Sequence, residues 1–247
     1  MHLVVDPGIA DPALDSALSR ALLLRVAAGE LPETLRISRP GPTVAFGKRD
    51  VVSDGYAAAV AAARAGGFEA TERLAGGRAA VFHEQTLHFG HAVRDDEPRL
   101  RVTERFEQTA ALIARAFARL GVDARIGEIE GEYCPGEHSV NARGATKLMG
   151  LGQRVIKDGA YVGGVVVVDG AERVRDVLVP VYDALGLEWR PETTGSLADE
   201  SPGVTWDDAR AAIEAEYAET YELEPVELDD DTSALAHELA PEHRSLG

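Results

Sequence analysis

Helix and strand signals alternate along the whole chain. The clearest helix signal is a set of apolar residues at helical spacing before Gly121, namely Phe106, Ala110, Ile113, Phe117 and Leu120. Elsewhere, short runs of β-branched and other apolar residues stand between turn residues, which is typical of strands. No repeat, low-complexity linker or long Pro/Gly/Ser tract divides the chain. The pattern therefore predicts one continuous α/β protein.

Local start and stop signals place the other helices. Asp11 is a suitable N-cap, Pro12 suits the first helical turn, and Gly29 can end the same helix. Thr205, with Asp208 three positions later, makes a capping-box start for a helix near the C-terminus. Together with the helix that ends at Gly121, we predict helices over residues 12–28, 56–65, 171–185 and 206–221.

The apolar runs predict the strands. They cover residues 35–38, 44–46, 68–71, 79–83, 87–93, 139–142, 148–156 and 162–168. Only a few polar residues separate the run 79–83 from the run 87–93. We therefore predict that these two runs form an antiparallel hairpin.

The composition narrows the classes of function. The chain has 247 residues and is 45% apolar, which is enough for a sizeable core. Its formal net charge of −17 argues against nucleic-acid binding, which requires clustered cations. No apolar run is long enough to span a bilayer, and the N-terminus lacks the pattern of a secretory signal. We therefore expect a cytoplasmic protein that binds neither nucleic acid nor membrane.

The charged residues have a biased composition, with arginine far more frequent than lysine and acidic residues in excess of basic ones. Only three of the 25 basic residues are lysines, while Asp and Glu together number 42. This bias fits either a GC-rich genome or a salt-rich cytoplasm, and our hypothesis is a halophilic source.

The only cysteine, Cys134, lies thirteen positions before Lys147 in a stretch bracketed by glycines. A single cysteine forms no internal disulfide, so any role it has is that of a free thiol. A nearby ammonium lowers the pKa of a thiol and raises its thiolate fraction at neutral pH. Pro135 and Gly136 favour a rigid, exposed turn, whereas an inert buried cysteine is the alternative interpretation. We predict that Cys134 is a nucleophile and that Lys147 activates it.

A second candidate site is the glycine pair in the segment ERLAGGRAAVFHE, residues 72–84. Gly76 and Gly77 let the backbone approach a ligand closely, and Arg73 can bind a carbonyl or phosphate oxygen. On its own, such a pair is more often an ordinary loop at a sheet edge.

Together, the two segments resemble the lipoate/biotin protein ligase and octanoyltransferase family. The string YCPG, followed by SVNARG and KLMGLGQR, is most similar to the cysteine-dependent octanoyltransferases, which move octanoyl groups between lipoyl-bearing proteins. The resemblance implies mixed, largely antiparallel sheets flanked by helices, as in biotin/lipoate ligase-like catalytic domains. It implies a catalytic domain over residues 1–195 and a small C-terminal helical extension over 196–247. The acidic end, 229–247, is predicted to be mobile or to form a peripheral helix.

The resemblance also implies a reaction. Cys134 attacks an acyl chain bound along the glycine loop, and the thioester then passes its octanoyl or lipoyl group to a lysine of a lipoyl domain. Lys147 would stabilise the thiolate and hydrogen-bond the acyl carbonyl. The acceptor lysine would lose its proton to Lys147, to the departing thiolate or to His138. The residues implied to bind substrate are Arg73, Gly76, Gly77, His83, Gly150 and Gln153.

The histidines do not predict a metal site. His83, His88 and His91 match no familiar ligand spacing, and His88 and His91 point to opposite faces of a strand. His83 lines the acyl pocket or makes a hydrogen bond in the core. His138 assists Cys134 or faces solvent.

The chain departs from the pattern of the ATP-using lipoate ligases. Glu72 precedes Arg73, Arg78 follows the two glycines, and Glu84 follows His83. A carboxylate beside the path of a triphosphate would repel it, so we expect no cofactor. ATP and Mg would be needed only in the first alternative, an ATP-dependent lipoate-protein ligase. A second alternative is a non-catalytic component of a split ligase.

The implied partners are lipoyl domains, the glycine-cleavage H protein or acyl carrier protein. Docking an acidic module onto a chain of charge −17 requires a local basic patch, for which Arg78, Arg143 and Arg154 are candidates. The sequence leaves open whether the acyl chain is octanoyl or lipoyl.

Overall fold

The computed structural model describes residues 1–245, which form two sheets with helices around them. The larger sheet has eight strands in the spatial order β11-β1-β2-β6-β10-β9-β8-β7. These strands are β1 (His2–Asp6), β2 (Thr34–Ser38), β6 (Thr86–Arg94), β7 (Ala124–Ile126), β8 (Val140–Ala142), β9 (Thr146–Ile156), β10 (Gly159–Val167) and β11 (Glu224–Pro225). Only the pairs of β1 with β2 and with β11 are parallel, so the sheet is largely antiparallel.

The smaller sheet has three strands in the order β4-β3-β5, with β3 parallel to β4 and antiparallel to β5. These are β3 (Thr43–Phe46), β4 (Glu69–Glu72) and β5 (Ala80–Phe82). The fold class predicted from the sequence, mixed and largely antiparallel sheets flanked by helices, is confirmed.

Helices cover both faces of the larger sheet. They are α1 (Pro12–Ala28), α2 (Lys48–Val51), α3 (Tyr56–Ala65), α4 (Val102–Arg119), α5 (Ala171–Leu185), α6 (Leu197–Glu200), α7 (Trp206–Ala218) and α8 (Asp230–Leu239), with short 3-10 turns at Pro191–Thr193 and Ala240–His243. Among residues 1–245, no helix is long and apolar enough to cross a membrane.

The two faces of the larger sheet pack against different elements. One face packs against α4 and α7 and forms the main hydrophobic core, with Phe89 of β6 and Ile113 and Phe117 of α4 fully buried. The other face lies under α1 and the smaller sheet. The smaller sheet is covered in turn by α3 and α5. The candidate site lies on this second face.

Capping residues and glycines in the sequence predicted most helix bounds correctly. The side chain of Asp11 accepts a hydrogen bond from Ala13 N (3.0 Å), and Gly29 ends α1 in the left-handed conformation at φ +76°. Helices α3 and α5 have the bounds that the sequence predicts. Thr205 and Asp208 form the expected capping box, although α7 ends at Ala218 rather than near Tyr221.

The predicted hairpin of residues 79–83 and 87–93 is wrong. Strand β5 pairs with β3 in the smaller sheet, whereas β6 pairs with β2 and β10 in the larger sheet. A tight turn, in which Thr86 N donates to His83 O (2.8 Å), carries the chain from one sheet to the other. Closeness in sequence favours a hairpin, but β6 gains two long partners by pairing on both of its edges.

The C-terminal segment packs on the rest of the protein. Helix α8 lies against α1, and Arg25 of α1 donates to Asp229 and Thr232 at the start of α8. Farther on, Thr71 Oγ1 donates to His243 O (2.9 Å). The described part of the acidic end therefore forms a packed helix and a 3-10 turn, while residues 246–247 of that prediction lie outside the described residues. The division at residue 195 stays a prediction.

A buried ion cluster ties α1 to β1 and β2. Arg36, only 1% exposed, donates to Asp6 Oδ2 (2.7 Å) and Asp15 Oδ1 (2.5 Å). Burial raises the pKa of Asp15, but the attraction of Arg36 outweighs it, and the pKa is lower than in an ordinary aspartate. Asp15 and Arg36 are thus both charged at neutral pH.

We predict that Arg36→Met destabilises the protein by about 3–5 kcal/mol, because two partly buried carboxylates lose their shared partner. Urea unfolding monitored by circular dichroism measures the loss. Arg125→Met is the control, since Arg125 pairs with Asp123 on the surface and should cost about 0–1 kcal/mol. Equal losses in the two variants would contradict the assignment of Arg36 as a structural ion-pair centre.

Candidate functional site

The loop between β7 and β8 presents Cys134 in an unusual backbone conformation. Its φ is +44°, in the left-handed region that residues with a side chain rarely adopt. The hydroxyl of Tyr182, on α5, accepts a hydrogen bond from Cys134 N (2.8 Å) and donates to Ala79 O (3.1 Å). Tyr182 therefore holds the bend at Cys134 between α5 and the chain next to β5.

Lys147 holds the same bend from the other side. Its ammonium donates to Glu132 Oε1 (2.9 Å), Tyr133 O (3.0 Å) and Cys134 O (2.8 Å). These three bonds use all the protons of the ammonium. Lys147 thus contacts the carbonyl of Cys134, and no hydrogen bond joins it to the sulfur.

Glu132 is the organising carboxylate of the loop. It is 3% exposed, and besides Lys147 it accepts from Ser139 Oγ (2.6 Å), Gly136 N (3.1 Å) and Ile129 N (3.1 Å). Each of its oxygens is hydrogen-bonded, as a buried carboxylate requires. Glu132 and Lys147 together set the path of the chain through Cys134.

The sulfur itself faces two other groups. Arg78 N donates to Cys134 Sγ (3.2 Å), and Arg73 Nη2 lies 3.7 Å from Sγ. Burial raises the pKa of the thiol, but the nearby charges of Arg73 and then Lys147, with the Arg78 N–H bond, outweigh burial and leave the pKa lower than in an ordinary cysteine. The thiolate form of Cys134 is thus favoured more than in an ordinary cysteine, and Arg73 contributes more to this than Lys147.

The glycine loop closes over the sulfur. Arg73 folds back onto its own loop and donates to the carbonyls of Ala75 and Gly76. Gly77 has a φ of +111°, and a Cβ placed there would lie 2.9 Å from Cys134 Sγ. Only glycine leaves room for this close approach.

A cavity of about 90 Å³ opens between the larger sheet, α1 and the smaller sheet. Cys134, Lys147 and Arg73 lie at one part of its wall. Apolar side chains line much of the rest, among them Leu74, Ala75, Ala80, Phe82, Leu151 and Val165. Polar groups from α1 and the sheet also reach it, namely Asp15, Ser16, Ser19, His88 and Tyr161. The cavity can hold an elongated, largely apolar group next to the sulfur.

The structure brings together most of the site residues that the sequence predicts. Cys134, Lys147, Arg73 and Gly150 line the cavity, and Gly77 borders the sulfur. Gly76 N donates to Gln153 O at 3.4 Å, so the glycine loop rests on the backbone of β9. The side chain of Gln153, however, bonds to Val102 O (2.8 Å) and Arg105 Nε (2.9 Å) on the α4 side.

Two predicted histidines lie away from the sulfur. His83 is buried outside the cavity lining, where its Nδ1 accepts from Gln85 N (3.2 Å), and burial lowers its pKa to about 4. His138 stacks on Phe106 with the ring planes at 12°. The imidazole that does line the cavity is that of His88. His91 faces Tyr217 on the opposite side of the sheet, as strand alternation predicts.

Sequence reasoning missed several groups that support the sulfur. Glu132 and Tyr182 carry no motif of their own, although Glu132 lies within the conspicuous segment GEYCPG. Asp50, fully buried, accepts from Gly47 N (3.2 Å) and Arg78 Nη1 (3.0 Å) and so connects α2 to the glycine loop. Within residues 1–245, no cluster of three or more His, Cys, Asp or Glu could hold a metal ion.

The two sheets, with the cysteine beside a cavity between them, define a catalytic domain of the lipoate ligase fold. Lipoate-protein ligase A bound with ATP is similar over 97% of this chain and 93% of its own, with a TM-score of 0.77 and 19% identity. A bipartite lipoate protein ligase of Thermoplasma acidophilum, from a structural analysis of that ligase and its E2 lipoyl domain, is similar over 97% of this chain and 91% of its own, with a TM-score of 0.74 and 19% identity. At such identities the likeness shows the fold.

The chain belongs to the lipoyl protein ligase A/B catalytic domain family, whose profile matches residues 11–218. The octanoyl-[GcvH]:protein N-octanoyltransferase of Geobacillus kaustophilus is 27% identical over 189 residues, which are 75% of this chain and 66% of that protein. The protein of the same name from Oceanobacillus iheyensis is 27% identical over 137 residues, 56% of this chain and 48% of that protein. The chain thus spans at most about two thirds of the length of these relatives.

We predict that Arg73→Gln raises the pKa of Cys134 and slows its alkylation by iodoacetamide severalfold at pH 7. The reason is that Arg73 contributes the largest favourable interaction with the thiolate. Alkylation rates measured from pH 5 to 10 by mass spectrometry give the midpoint for each variant. In wild type the rate should already rise at a lower pH than for an ordinary cysteine.

Arg99→Gln is the control, because Arg99 is exposed and lies outside the cavity lining. If the pH midpoint of alkylation is unchanged in Arg73→Gln but higher in Lys147→Gln, Lys147 rather than Arg73 activates the thiol.

Proposed function

We propose that this chain is an octanoyl or lipoyl protein N-acyltransferase of the lipoylation pathway, and that the acyl group passes through a thioester on Cys134. The observation that carries the proposal is the placement of Cys134 Sγ, which borders a largely apolar cavity and accepts a hydrogen bond from Arg78 N (3.2 Å). The family and the names of the two relatives support the same reaction. The acyl chain would occupy the cavity.

In the first step, the Cys134 thiolate attacks the carbonyl carbon of an acyl-lysine amide on a donor protein. A C–S bond forms, the C–N bond breaks, and the donor lysine leaves as an amine after gaining one proton from solvent. The negative charge that develops on the carbonyl oxygen needs nearby donors. Arg73 can provide one by releasing the carbonyl of Ala75 or Gly76, to which it is bonded.

In the second step, a neutral lysine amine of the acceptor protein attacks the thioester. A C–N bond forms, the C–S bond breaks, and the amine loses one proton, so the thiolate is restored and the proton count closes. His138 is stacked on Phe106 and Lys147 has all three protons engaged. We therefore assign the proton to water, either directly or by way of the departing sulfur, which then releases it and is left as the thiolate.

We assign Lys147 chiefly to positioning. Its bonds to the carbonyls of Tyr133 and Cys134 maintain the bend that points the sulfur at the cavity, and its charge also favours the thiolate. Sequence reasoning assigned it a hydrogen bond to the acyl carbonyl. For that bond, Lys147 would have to give up one of its three present partners.

We propose that no nucleotide takes part. One amide is exchanged for another, so the free energy of the acyl bond is conserved and no activation by ATP is required. Glu72 also precedes Arg73 in the sequence, and a carboxylate close to a triphosphate would repel it. The alternative is an ATP-dependent ligase of the same fold. A transfer assay without nucleotide distinguishes the two reactions.

We predict that wild type, incubated without nucleotide with an octanoylated H protein and an apo lipoyl domain, transfers the octanoyl group and shows an octanoyl adduct on Cys134. Cys134→Ala should lose the adduct and at least about a thousandfold in rate, because the nucleophile is gone. Intact-protein mass spectrometry measures both. His138→Ala serves as the control and should retain activity, since His138 contacts Phe106 rather than the sulfur.

Transfer by Cys134→Ala that depends on ATP and magnesium would replace the thioester mechanism with that of a ligase. Absence of transfer by wild type from every donor, with or without ATP, would favour the non-catalytic alternative.

For partners, we propose the glycine-cleavage H protein and lipoyl domains, with docking at a basic rim beside the glycine loop. The rim consists of Lys48, Arg49, Arg78 and Arg154. Lys48 and Arg49 are exposed and form no ion pair with any described residue. They follow Gly47, where a Cβ would lie 1.9 Å from Gly77 O, so α2 begins directly against the loop that covers the sulfur.

The other two rim residues complete it on either side of the glycine loop. Arg78 pairs with the buried Asp50 and follows the two glycines, and Arg154 is exposed next to Gln153, on which Gly76 rests. Arg143, the third arginine that the sequence suggested, instead pairs with Glu200 (2.8 Å). On a chain of charge −17, this rim is where an acidic surface around a target lysine would be attracted.

We predict that Lys48→Glu with Arg49→Glu lowers kcat/KM for a lipoyl-domain acceptor by about tenfold at low salt. The salt dependence of the variant should weaken or reverse, because attraction of the acidic acceptor at these two positions is replaced by repulsion, which salt also screens. Steady-state transfer assays at several salt concentrations measure this. Arg99→Glu with Arg125→Glu, an equal charge change at exposed positions outside α2, the glycine loop and β9, is the control. Equal effects of both pairs would remove the rim as a docking surface.

We also infer that the protein works in the cytoplasm. The excess of acidic residues fits a cytoplasm rich in salt, where screening would shorten the range of repulsion between this chain and an acidic partner.

A further inference from the structure

A row of three glycines crosses the floor of the cavity. The strand register places Gly163 of β10 directly beside Gly152 of β9 on one side and Gly90 of β6 on the other. Residues opposite each other in register project to the same face of a sheet. Gly163 and Gly152 line the cavity, so the row forms a shallow trough on the cavity face.

The ring of Tyr161 lies in this trough. A Cβ on Gly90 would be 2.0 Å from Tyr161 Oη and 2.4 Å from Cζ, and a Cβ on Gly163 would be 2.9 Å from Oη. The ring therefore folds from its own position on β10 across two neighbouring glycines. Side chains at Gly90 or Gly163 would displace it, so the glycines and the tyrosine form one arrangement.

The hydroxyl of Tyr161 is anchored at its end. It bonds to His88 Nε2 (3.0 Å) and reaches Ser19 Oγ on α1 (3.5 Å), while His88 Nδ1 bonds to Ser38 Oγ (3.2 Å). Burial lowers the pKa of His88 to about 4 and raises that of Tyr161 to about 12. Both groups are neutral at pH 7, so the anchor consists of neutral hydrogen bonds.

Tyr161 lies across the row of glycines from the loop that covers the sulfur. At the loop end of the row, a Cβ on Gly152 would lie 3.2 Å from Gly76 O and 3.9 Å from Arg73 Nη2, and Arg73 Nη2 is 3.7 Å from Cys134 Sγ. The ring of Tyr161 covers Gly163 and Gly90, the next two glycines across the sheet. A chain that starts at Cys134 and runs along the row therefore meets the ring of Tyr161.

We propose that the ring of Tyr161, seated on Gly90 and Gly163, is the end of the acyl-chain site and limits the length of the chain that is transferred. This inference rests on the proposed acyltransferase function. It restricts the ligand to a medium-length acyl group. The hydroxyl end of the ring is bonded to His88 and Ser19, and Ser19 is bonded to Arg36, so more methylenes would be unfavourably placed in this polar cluster.

Tyr161→Leu shortens the side chain, and Tyr161→Phe keeps the ring but removes the hydroxyl. We expect Tyr161→Leu to raise the ratio of dodecanoyl to octanoyl transfer by about tenfold or more, since the added methylenes are buried in the space that the ring leaves, before the polar cluster is reached. Tyr161→Phe is the matched control and should keep the wild-type ratio. Transfer from donor proteins carrying acyl chains of six to fourteen carbons measures the ratio.

Gly90→Ala tests the same arrangement in the opposite direction. The added methyl group pushes the ring toward the cavity and should shift the preference to hexanoyl. In the double variant Gly90→Ala with Tyr161→Leu the methyl group has no ring to displace, so the shift to hexanoyl should disappear. This cancellation distinguishes an effect through Tyr161 from a general loss of stability.

A second readout does not depend on catalysis. Calorimetric binding of free saturated fatty acids of six to fourteen carbons should show the same shifts in length preference. If wild type binds octanoate but transfers nothing, the proposed function fails while the length limit is still measured. Unchanged length preferences in Tyr161→Leu and Gly90→Ala, by transfer and by binding, would overturn the assignment of Tyr161.

Discussion

The buried ion pair of Glu132 and Lys147 determines the geometry at Cys134. Both side chains are at most 1% exposed, and a charge pair so far from water is favourable only when every donor and acceptor is satisfied. Here the ammonium uses all three protons and the carboxylate binds two backbone N–H groups and a hydroxyl. Loss of either partner would leave a buried charge and release the bend that carries the sulfur.

Geometry and reactivity at the sulfur come from different groups. Lys147, Glu132 and Tyr182 hold the backbone of Cys134 in its left-handed conformation, whereas Arg73 and the N–H of Arg78 face the sulfur. Asp50 connects Arg78 to α2. The thiolate is therefore stabilised by a loop that is itself held in place by a buried carboxylate. In this way a strongly acidic chain places an arginine and a lysine near the sulfur.

Glycines define the space beside that centre. Gly77 allows the loop to approach the sulfur, and Gly152 lets the same loop settle on the sheet, because a Cβ there would lie 2.9 Å from the Cβ of Ala75. Gly90 and Gly163 leave the trough that Tyr161 fills. Glycines inside strands lower the stability of a sheet. The row of Gly152, Gly163 and Gly90 therefore destabilises the sheet but leaves the space that the cavity and the ring of Tyr161 occupy.

The sequence by itself determined the features that depend on neighbours along the chain. Caps and periodicity placed α1, α3, α4 and α5, and the pattern around Cys134 and Lys147 indicated the family that the profile match confirms. Tertiary structure decided which strands pair, so that β5 and β6 part into different sheets. It also decided that His88 rather than His83 lines the cavity.

Only tertiary structure showed that Lys147 bonds to a carbonyl rather than to the sulfur, and that Glu132, Asp50 and Tyr161 support the site. The physical reason is distance along the chain. Tyr161 meets Gly90, and Tyr182 meets Cys134, across tens of residues, and such contacts depend on sheet register and helix packing, which local patterns do not encode.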